Sequence, residues 1–289
     1  MTGIDVLNRK RTDLPQGTAG VRVKALFTDY DGTISPINVS RSDSAVPSKI
    51  MAVLCEISLR IPVVVVTTKD LSFVVKRTPF AHAWAALGGL EMRVNGVTTS
   101  EACLESKTQQ IAEAQSFARN LAENDLVIEE KQNSEGAPVA FSVDWRQTGN
   151  VDAASAKGSK ITAYCDTLSL SVIKYEGQPF FDVFPCPINK GKALLILKKK
   201  FGLQDGILYM GDSGTDNAAF EKADIAVGVI HKETPNNLVC DYFVKFEDVT
   251  AFLKGLLKNS FRFSPKLPMI RHRTQAFQYI RRKNLREVI

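Results

Sequence analysis

Cysteine is scarce and unpatterned in this chain: Cys55, Cys103, Cys165, Cys186 and Cys240 are an odd number with no C-x-x-C pair among them. That argues against a disulfide framework and against a zinc site, and it fits a reducing cytoplasm. Long apolar runs are missing too. The densest, Ile61 to Thr68, falls far short of the roughly 18 residues that a spanning helix needs, so the expectation is a soluble protein without a membrane span. Met1 to Gln16 mixes Asp5, Arg9, Lys10, Arg11 and Asp13 around no apolar centre, which speaks against a secretory signal. No internal repeat or low-complexity segment is present, so solenoids and fibrous classes are excluded.

What remains is ordinary globular material. The 289 residues are 44% hydrophobic and 24% charged, enough for one large or two modest domains with a sizeable core. The net charge of +6 is concentrated at one end. Residues 259–289 carry eight Lys or Arg (Arg262, Lys266, Arg271, Arg273, Arg281, Arg282, Lys283 and Arg286) against the single acid Glu287, so the rest of the chain has a net charge of −1. Any argument for an anionic macromolecular partner rests on that extension alone.

Two kinds of segment alternate along the chain. Val21 to Thr28 predicts a strand, Ile50 to Leu59 a short amphipathic helix, and Val63 to Val66 is a β-branched run of the kind buried on both faces of a parallel sheet. Ala83 to Leu87 is a further strand. The rhythm then changes: helix Lys107 to Glu123, strands Leu126 to Glu130 and Val139 to Trp145, helix Val151 to Thr167, then strands Leu168 to Lys174 and Phe180 to Phe184. From Lys190 the first pattern returns, with helices Lys192 to Phe201, Asp216 to Lys222 and Val249 to Leu257 between strands Ile207 to Met210, Ile225 to Val229 and Tyr242 to Phe246. The predicted fold is α/β, a doubly wound parallel-sheet core of residues 21–89 and 181–258, interrupted by an α+β cap of residues 90–180 and followed by a basic extension, 259–289.

Acidic loops follow two of the strands. Asp29-Tyr30-Asp31-Gly32-Thr33 puts two carboxylates two residues apart where the chain leaves the sheet. One carboxylate can attack phosphorus while the other protonates the leaving oxygen and later deprotonates water. The plainer alternative is a strand-ending Asp-Gly turn. Gly211-Asp212-Ser213-Gly214-Thr215-Asp216-Asn217 follows the Ile207 strand, and acids from two strand ends suit the hard, oxygen-seeking Mg²⁺ ion; here the alternative is a glycine-rich loop with a helix cap. Thr67-Thr68-Lys69 closes the Val63 strand, as a phosphate ligand or as a helix cap. Lys190 opens a helix, where a cation can stabilise a transferring group or be a solvated lysine.

Taken in order, D-x-D-G-T, a strand ending in Thr, K-G-K-A-L and G-D-S-G-T-D-N resemble the haloacid dehalogenase-like phosphatases whose α/β cap lies between the second and third motifs. The resemblance spans about Val23 to Leu257. It implies Asp29 as nucleophile, Asp31 as general acid and base, Thr67 as phosphate ligand and Lys190 as charge stabiliser. Asp29, the Asp31 carbonyl and Asp212 would hold Mg²⁺ with Asp216 at the same centre, and Gly32, Thr68, Lys69 and Asn217 would border the substrate. The second motif departs from the Ser/Thr-Gly-Arg common among such members, with Thr68-Lys69 in place of Gly-Arg. Within the superfamily the chain looks most like trehalose-6-phosphate phosphatases and related sugar-phosphate phosphatases. Glu129-Glu130-Lys131 and Asp144-Trp145-Arg146 are similar to that family's Glu-x-Lys and His-Tyr-Arg cap segments, with Asp for His and extra residues around Asn133 to Pro138; Asp182 similarly precedes the third motif. The implied substrate contacts are therefore Lys131 and Arg146 in the cap and Asp182 just beyond it.

The reading that follows is a cytoplasmic, Mg²⁺-dependent phosphomonoesterase, monomer or homodimer, acting on a small phosphorylated substrate, with phosphoglycolate, mannosyl-phosphoglycerate and sucrose phosphate beside trehalose 6-phosphate. The competing class is a non-catalytic regulator that keeps the fold and binds RNA or a membrane surface through its basic extension. Met269, Phe277, Ile280, Leu285 and Val288 fall at loose helical spacing there, for which the plainer and favoured reading is a terminal helix packed on the core or a solvated appendage.

Overall fold

The computed structural model describes residues 20–37, 39–175, 177–231, 237–267 and 271–272. In chain order the first elements are β1 (Ala25–Thr28), α1 (Ser48–Ser58), β2 (Val63–Val66), α2 (Leu71–Arg77), β3 (Ala83–Ala86), β4 (Glu91–Val94) and β5 (Val97–Ser100). Then come α3 (Cys103–Ser106), α4 (Thr108–Ala122), β6 (Val127–Gln132), β7 (Pro138–Asp144), α5 (Val151–Thr167), β8 (Ser171–Lys174) and β9 (Phe180–Phe184). The last are α6 (Lys190–Lys200), β10 (Ile207–Gly211), α7 (Asn217–Phe220), β11 (Ile225–Ile230), β12 (Tyr242–Lys245), α8 (Val249–Lys258) and β13 (Arg271–His272).

Nine strands form the core sheet in the order β13-β12-β11-β10-β1-β2-β3-β4-β5, with the six from β12 to β3 parallel. Its central strands are apolar on both faces because helices cover both. Leu54 and Ile57 of α1, Phe73 of α2 and Phe252, Leu253 and Leu256 of α8 pack with Leu26, Val63 and Val65 on one side. Leu194 and Leu197 of α6 and Phe220 of α7 pack with Phe27, Val64 and Tyr209 on the other. Strand order reverses beside β1, whose neighbours are β2 and β10, so the carboxyl ends of these strands open into one crevice.

The cap is a four-stranded antiparallel sheet, β6-β7-β9-β8. Side chains alternate along its strands up to an irregularity between Lys131 and Gln132 of β6. Ile128, Phe141, Val143, Phe181 and Val172 face α4 and α5 and close a second core with Ile111, Ala118 and Ile161. The opposite face carries Glu129, Ser142, Asp182 and Ile173, which stand in one register across all four strands.

Three expectations change. The cap does not begin at residue 90: β4 and β5 pair antiparallel onto β3 in the core sheet, turned by Asn95-Gly96, both at positive φ, as a two-residue hairpin turn requires. It does not end at 180 either, since β9 pairs within the cap sheet. The cysteines are not all free: Cys103, where the chain enters the cap, is bonded to Cys186, where it leaves. Spacing along the sequence could not reveal this pair, because 83 residues separate two linkers that lie side by side. Finally, the basic extension starts as part of the core: Phe261, Phe263 and Leu267 are buried and β13 pairs with β12. Apart from Arg271 and His272, the helix expected from Met269 lies outside the described residues. No described helix is long and apolar enough to cross a membrane.

Candidate active site

β1 and β10 are hydrogen-bonded neighbours, and the chain turns away from the sheet one residue beyond each. This places Asp29 and Asp212 side by side. After Asp29 the backbone coils tightly, with the N–H groups of Thr33, Ile34 and Ser35 all directed to the Tyr30 carbonyl. Gly32 sits at the inside of that coil with φ 70°, and the Asp212 carboxylate lies so close that a Cβ at Gly32 would stand 2.0 Å from its Oδ2. Only glycine meets both demands. His231, just beyond β11, donates from Nε2 to the Gly32 carbonyl at 2.6 Å and stacks on Phe246.

Lys190 opens α6, whose N-terminus is capped by the Asn189 side chain accepting from Lys192 N–H. The ammonium is buried between two acids, 2.9 Å from Asp29 Oδ2 and 2.8 Å from Asp216 Oδ1. Asp216 is a fully engaged carboxylate. Its Oδ1 also accepts from Tyr209 hydroxyl at 2.6 Å, and its Oδ2 accepts from the N–H groups of Asp212 and Ser213 and the Ser213 hydroxyl. Asp212 is the opposite case. It is buried, yet among the described residues its carboxylate accepts only a long hydrogen bond from Thr33 Oγ1, at 3.5 Å.

Burial dominates the electrostatics here. It raises the Asp29 carboxyl from 3.8 to about 7, against the lowering by Lys190, and Asp216 adds to the rise. Asp212 is pushed far above the ordinary carboxyl range by burial and by the charges of Asp29 and Asp216. Lys190 is held above its ordinary value in spite of burial because Asp216 and Asp29 flank it. Carboxylate oxygens of Asp29, Asp212 and Asp216 converge to within 4.8 Å of one another. Three converging acids and one ammonium leave negative charge unbalanced, which is the donor set of a hard divalent cation. With the oxygens of Asp216 occupied, Asp29 and Asp212 are the carboxylates with capacity to spare.

Above these residues lies a cavity of about 780 Å³ between core and cap. Asp29, Asp31, Thr68, Lys69 and Asp212 belong to the core side; Glu129, Lys131, Ser142, Asp144, Arg146, Tyr175, Phe180 and Asp182 belong to the cap. Except for Glu129, which meets core cations, the cap's charged groups are paired with one another. Lys131 Nζ is 2.7 Å from Asp182 Oδ1, which also accepts from Ser142 hydroxyl at 2.5 Å, while Tyr175 hydroxyl donates to Asp182 Oδ2 at 2.7 Å. Arg146 forks onto Asp144 and lies over the Phe180 ring. Asp31 accepts from Ser44 hydroxyl at 2.9 Å.

The sequence-derived set is thus gathered in one place, with two differences. Thr67 is buried beneath the cavity wall, its hydroxyl accepting from Lys69 N–H at 3.2 Å, so Thr68 and Lys69 form the wall itself. Asn217, expected at the substrate, instead secures a neighbouring loop: its amide donates to the Asn237 carbonyl at 3.0 Å and accepts from Val239 N–H at 2.8 Å. Residues the sequence did not single out also converge: Tyr175 and Ser142 around Asp182, His231 beside Gly32, and Arg41, which reaches Glu129. Alternation along β6, which sets Val127, Glu129 and Lys131 on one face, was the available signal for Glu129; nothing in one dimension marks Arg41.

Comparison with known proteins agrees with this construction. The trehalose-phosphatase family model matches residues 27–237. A trehalose-6-phosphate phosphatase related protein superposes with a TM-score of 0.65 at 19% identity, covering 80% of this chain and 95% of the other. The C-terminal domain of Candida albicans trehalose-6-phosphate phosphatase gives a TM-score of 0.65 at 20% identity, covering 83% and 93%. A subclass IIB sugar phosphatase of the haloacid dehalogenase superfamily gives 0.55 at 14% identity, covering 83% and 100%. No curated protein sequence matches. At these identities the superpositions speak for the shared core-and-cap fold, and the family match, which runs from the first acidic loop through the second, makes this chain a member of the trehalose-phosphatase family and a phosphoric monoester hydrolase.

Proposed function

We propose that the protein hydrolyses the phosphomonoester of a sugar-like, polyhydroxylated alcohol in a Mg²⁺-dependent reaction through an aspartyl-phosphate, with trehalose 6-phosphate the first candidate substrate. The observation that carries this is the contrast between two neighbouring acids: Asp29, paired with Lys190 and raised to about 7, and Asp212, buried with one long hydrogen bond among the described residues. Asp29 and Asp212, with the Asp31 main-chain carbonyl, would hold Mg²⁺, which when bound supplies positive charge to the phosphoryl oxygens and favours the ionised carboxylate.

The residues of the chain divide the remaining work. An Asp29 oxygen attacks phosphorus, forming the acyl-phosphate bond as the bond to the alcohol oxygen breaks, and Asp31 gives that oxygen its proton. Asp31 then takes a proton from water, whose oxygen attacks the same phosphorus; phosphate leaves and the Asp29 carboxylate is restored. Lys190 opposes the rise that burial imposes on Asp29 and offsets charge on the equatorial oxygens. Thr68 and Lys69 border the phosphoryl group, with Thr67 beneath them.

The leaving alcohol would lie under the cap. A cavity of about 780 Å³ holds more than a glycolate fills, and the row Glu129, Ser142, Asp182 together with Lys131 and Arg146 offers the alternating donors and acceptors that sugar hydroxyls exchange with. The test is phosphate release from trehalose 6-phosphate, sucrose phosphate, mannosyl-phosphoglycerate and phosphoglycolate, with Mg²⁺ and with excess chelator, alongside Asp29→Asn. We expect Mg²⁺-dependent release, greatest with a disaccharide phosphate and absent in the variant. Release by Asp29→Asn at the wild-type rate, or no release from any substrate, overturns the proposal.

A further inference from the structure

Five charged side chains alternate in sign across the boundary between core and cap. Asp70, Arg41, Glu129, Lys69 and Asp31 follow one another, and four of the five belong to the core. Glu129 is the single contribution of the cap. Its Oε1 lies 2.6 Å from Arg41 Nη1 and 3.4 Å from Lys69 Nζ, so a cap carboxylate sits between two core cations. Burial would raise Glu129, but Lys69, Lys131 and Arg41 outweigh it and hold the carboxyl below its ordinary value.

Arg41 is built to bridge. One guanidinium nitrogen pairs with Glu129 in the cap and the other with Asp70 in the core, while the guanidinium plane lies 4.5 Å above the Phe73 ring, whose ring also meets Arg77. Asp70 is itself fixed, buried and accepting from Phe73 N–H as the N-cap of α2. A planar fork can hold two carboxylates and an aromatic face at once; an ammonium on a flexible stem cannot keep both carboxylates in one geometry. The segment that carries Arg41 also lines the cavity through Pro36, Ile37 and Val39. Fixing Arg41 therefore fixes one wall of the cavity, and fixing Glu129 fixes the height of the row Glu129, Ser142 and Asp182 above Asp29.

We propose that Arg41 is a positioning residue that clamps the cap to the core through Glu129, setting the distance between the substrate-facing row of the cap and the acidic loops beneath it. The clamp itself is a matter of geometry; its effect on turnover rests on the phosphatase reading above. The experiment has an arm for each. Cys55 is exposed, Cys165 and Cys240 are buried, and Cys103 and Cys186 are bonded to each other. The full chain carrying Lys160→Cys on the exposed surface of α5 therefore takes a fluorescence donor and acceptor at one core and one cap position.

We expect energy transfer in the parent to report one short separation, and Arg41→Met and Glu129→Gln each to lower and broaden it. The double variant should match Glu129→Gln rather than add to it, because the Arg41 link is already lost there. Arg41→Lys keeps the charge and guards against a variant that fails to fold; it should fall between the parent and Arg41→Met. On the substrate preferred in the phosphate-release panel, Arg41→Met should raise KM about tenfold and leave kcat within about twofold. Unchanged transfer in Arg41→Met, additive effects in the double variant, or a fall in kcat with KM unchanged each overturns the proposal. If no substrate is hydrolysed, the phosphatase reading fails while energy transfer still decides the clamp.

Discussion

At the scale of single residues, the site is defined by how each carboxylate is partnered. Asp212 is buried, faces Asp29 and Asp216, and among the described residues accepts one long hydrogen bond, so in the absence of a cation its charge destabilises the fold. Asp212→Asn is therefore expected to melt higher than the parent in chelator and to gain nothing from added Mg²⁺. The parent should gain about 2.7 kcal/mol when Mg²⁺ is a hundredfold above its Kd; melting with and without Mg²⁺ checks both. Asp182 behaves in the opposite sense. Burial favours its neutral form, but Lys131, Ser142 and Tyr175 outweigh burial and hold it below the ordinary value of 3.8. Its stabilisation is complete above pH 3.8 and is lost as pH falls through the lower value of the folded state. Asp182→Asn leaves the Lys131 ammonium buried without its counter-ion and should cost about 3 to 5 kcal/mol near neutrality. Urea unfolding of parent and variant should show that gap narrowing only in acid. The placement of Asp29, Asp31, Lys190 and Asp212 was legible because each follows a strand or opens a helix. Lys131 was legible as a cap residue, whereas the placing of Asp182 in the cap and its pairing with Lys131 require the register of three strands.

At the scale of elements, legibility followed local consistency. Val63–Val66 and Val151–Thr167 have the expected bounds, because a β-branched run and a capped amphipathic stretch each specify one structure. Helix α2 escaped notice because Phe73-Val74-Val75 favours a strand by propensity; the Asp70 cap and burial of Phe73 and Val74 against the core sheet decide otherwise. The β4–β5 hairpin could have been read from Asn95-Gly96, whose φ values of 51° and 79° are those of the two-residue hairpin turn. Gly96→Ala should accordingly cost about 1 kcal/mol, measured by urea unfolding. The extension past α8 was separated too early, on charge alone. Ending the chain after Lys258 would remove buried Phe261, Phe263 and Leu267, each worth roughly 1.5 to 3 kcal/mol, and should leave a protein that does not fold cooperatively in thermal melts.

At the scale of the whole molecule, the chain order and the spatial order of the core differ. The central strand β1 is made early, and one of its two partners, β10, is made only after the whole cap. The pairing of Leu26 with Leu208 and of Thr28 with Met210 spans most of the chain. On a ribosome, at roughly 5 to 20 residues per second, some 180 residues separate these events, a wait of roughly 10 to 35 s. Throughout it the apolar edge of β1 has no native neighbour, while the cap, whose strands pair with near neighbours in sequence, can already close. Synthesis thus passes through a state in which the lid is finished before the vessel, and the open edge of a half-paired central strand is the surface that a chaperone or an aggregating neighbour meets first.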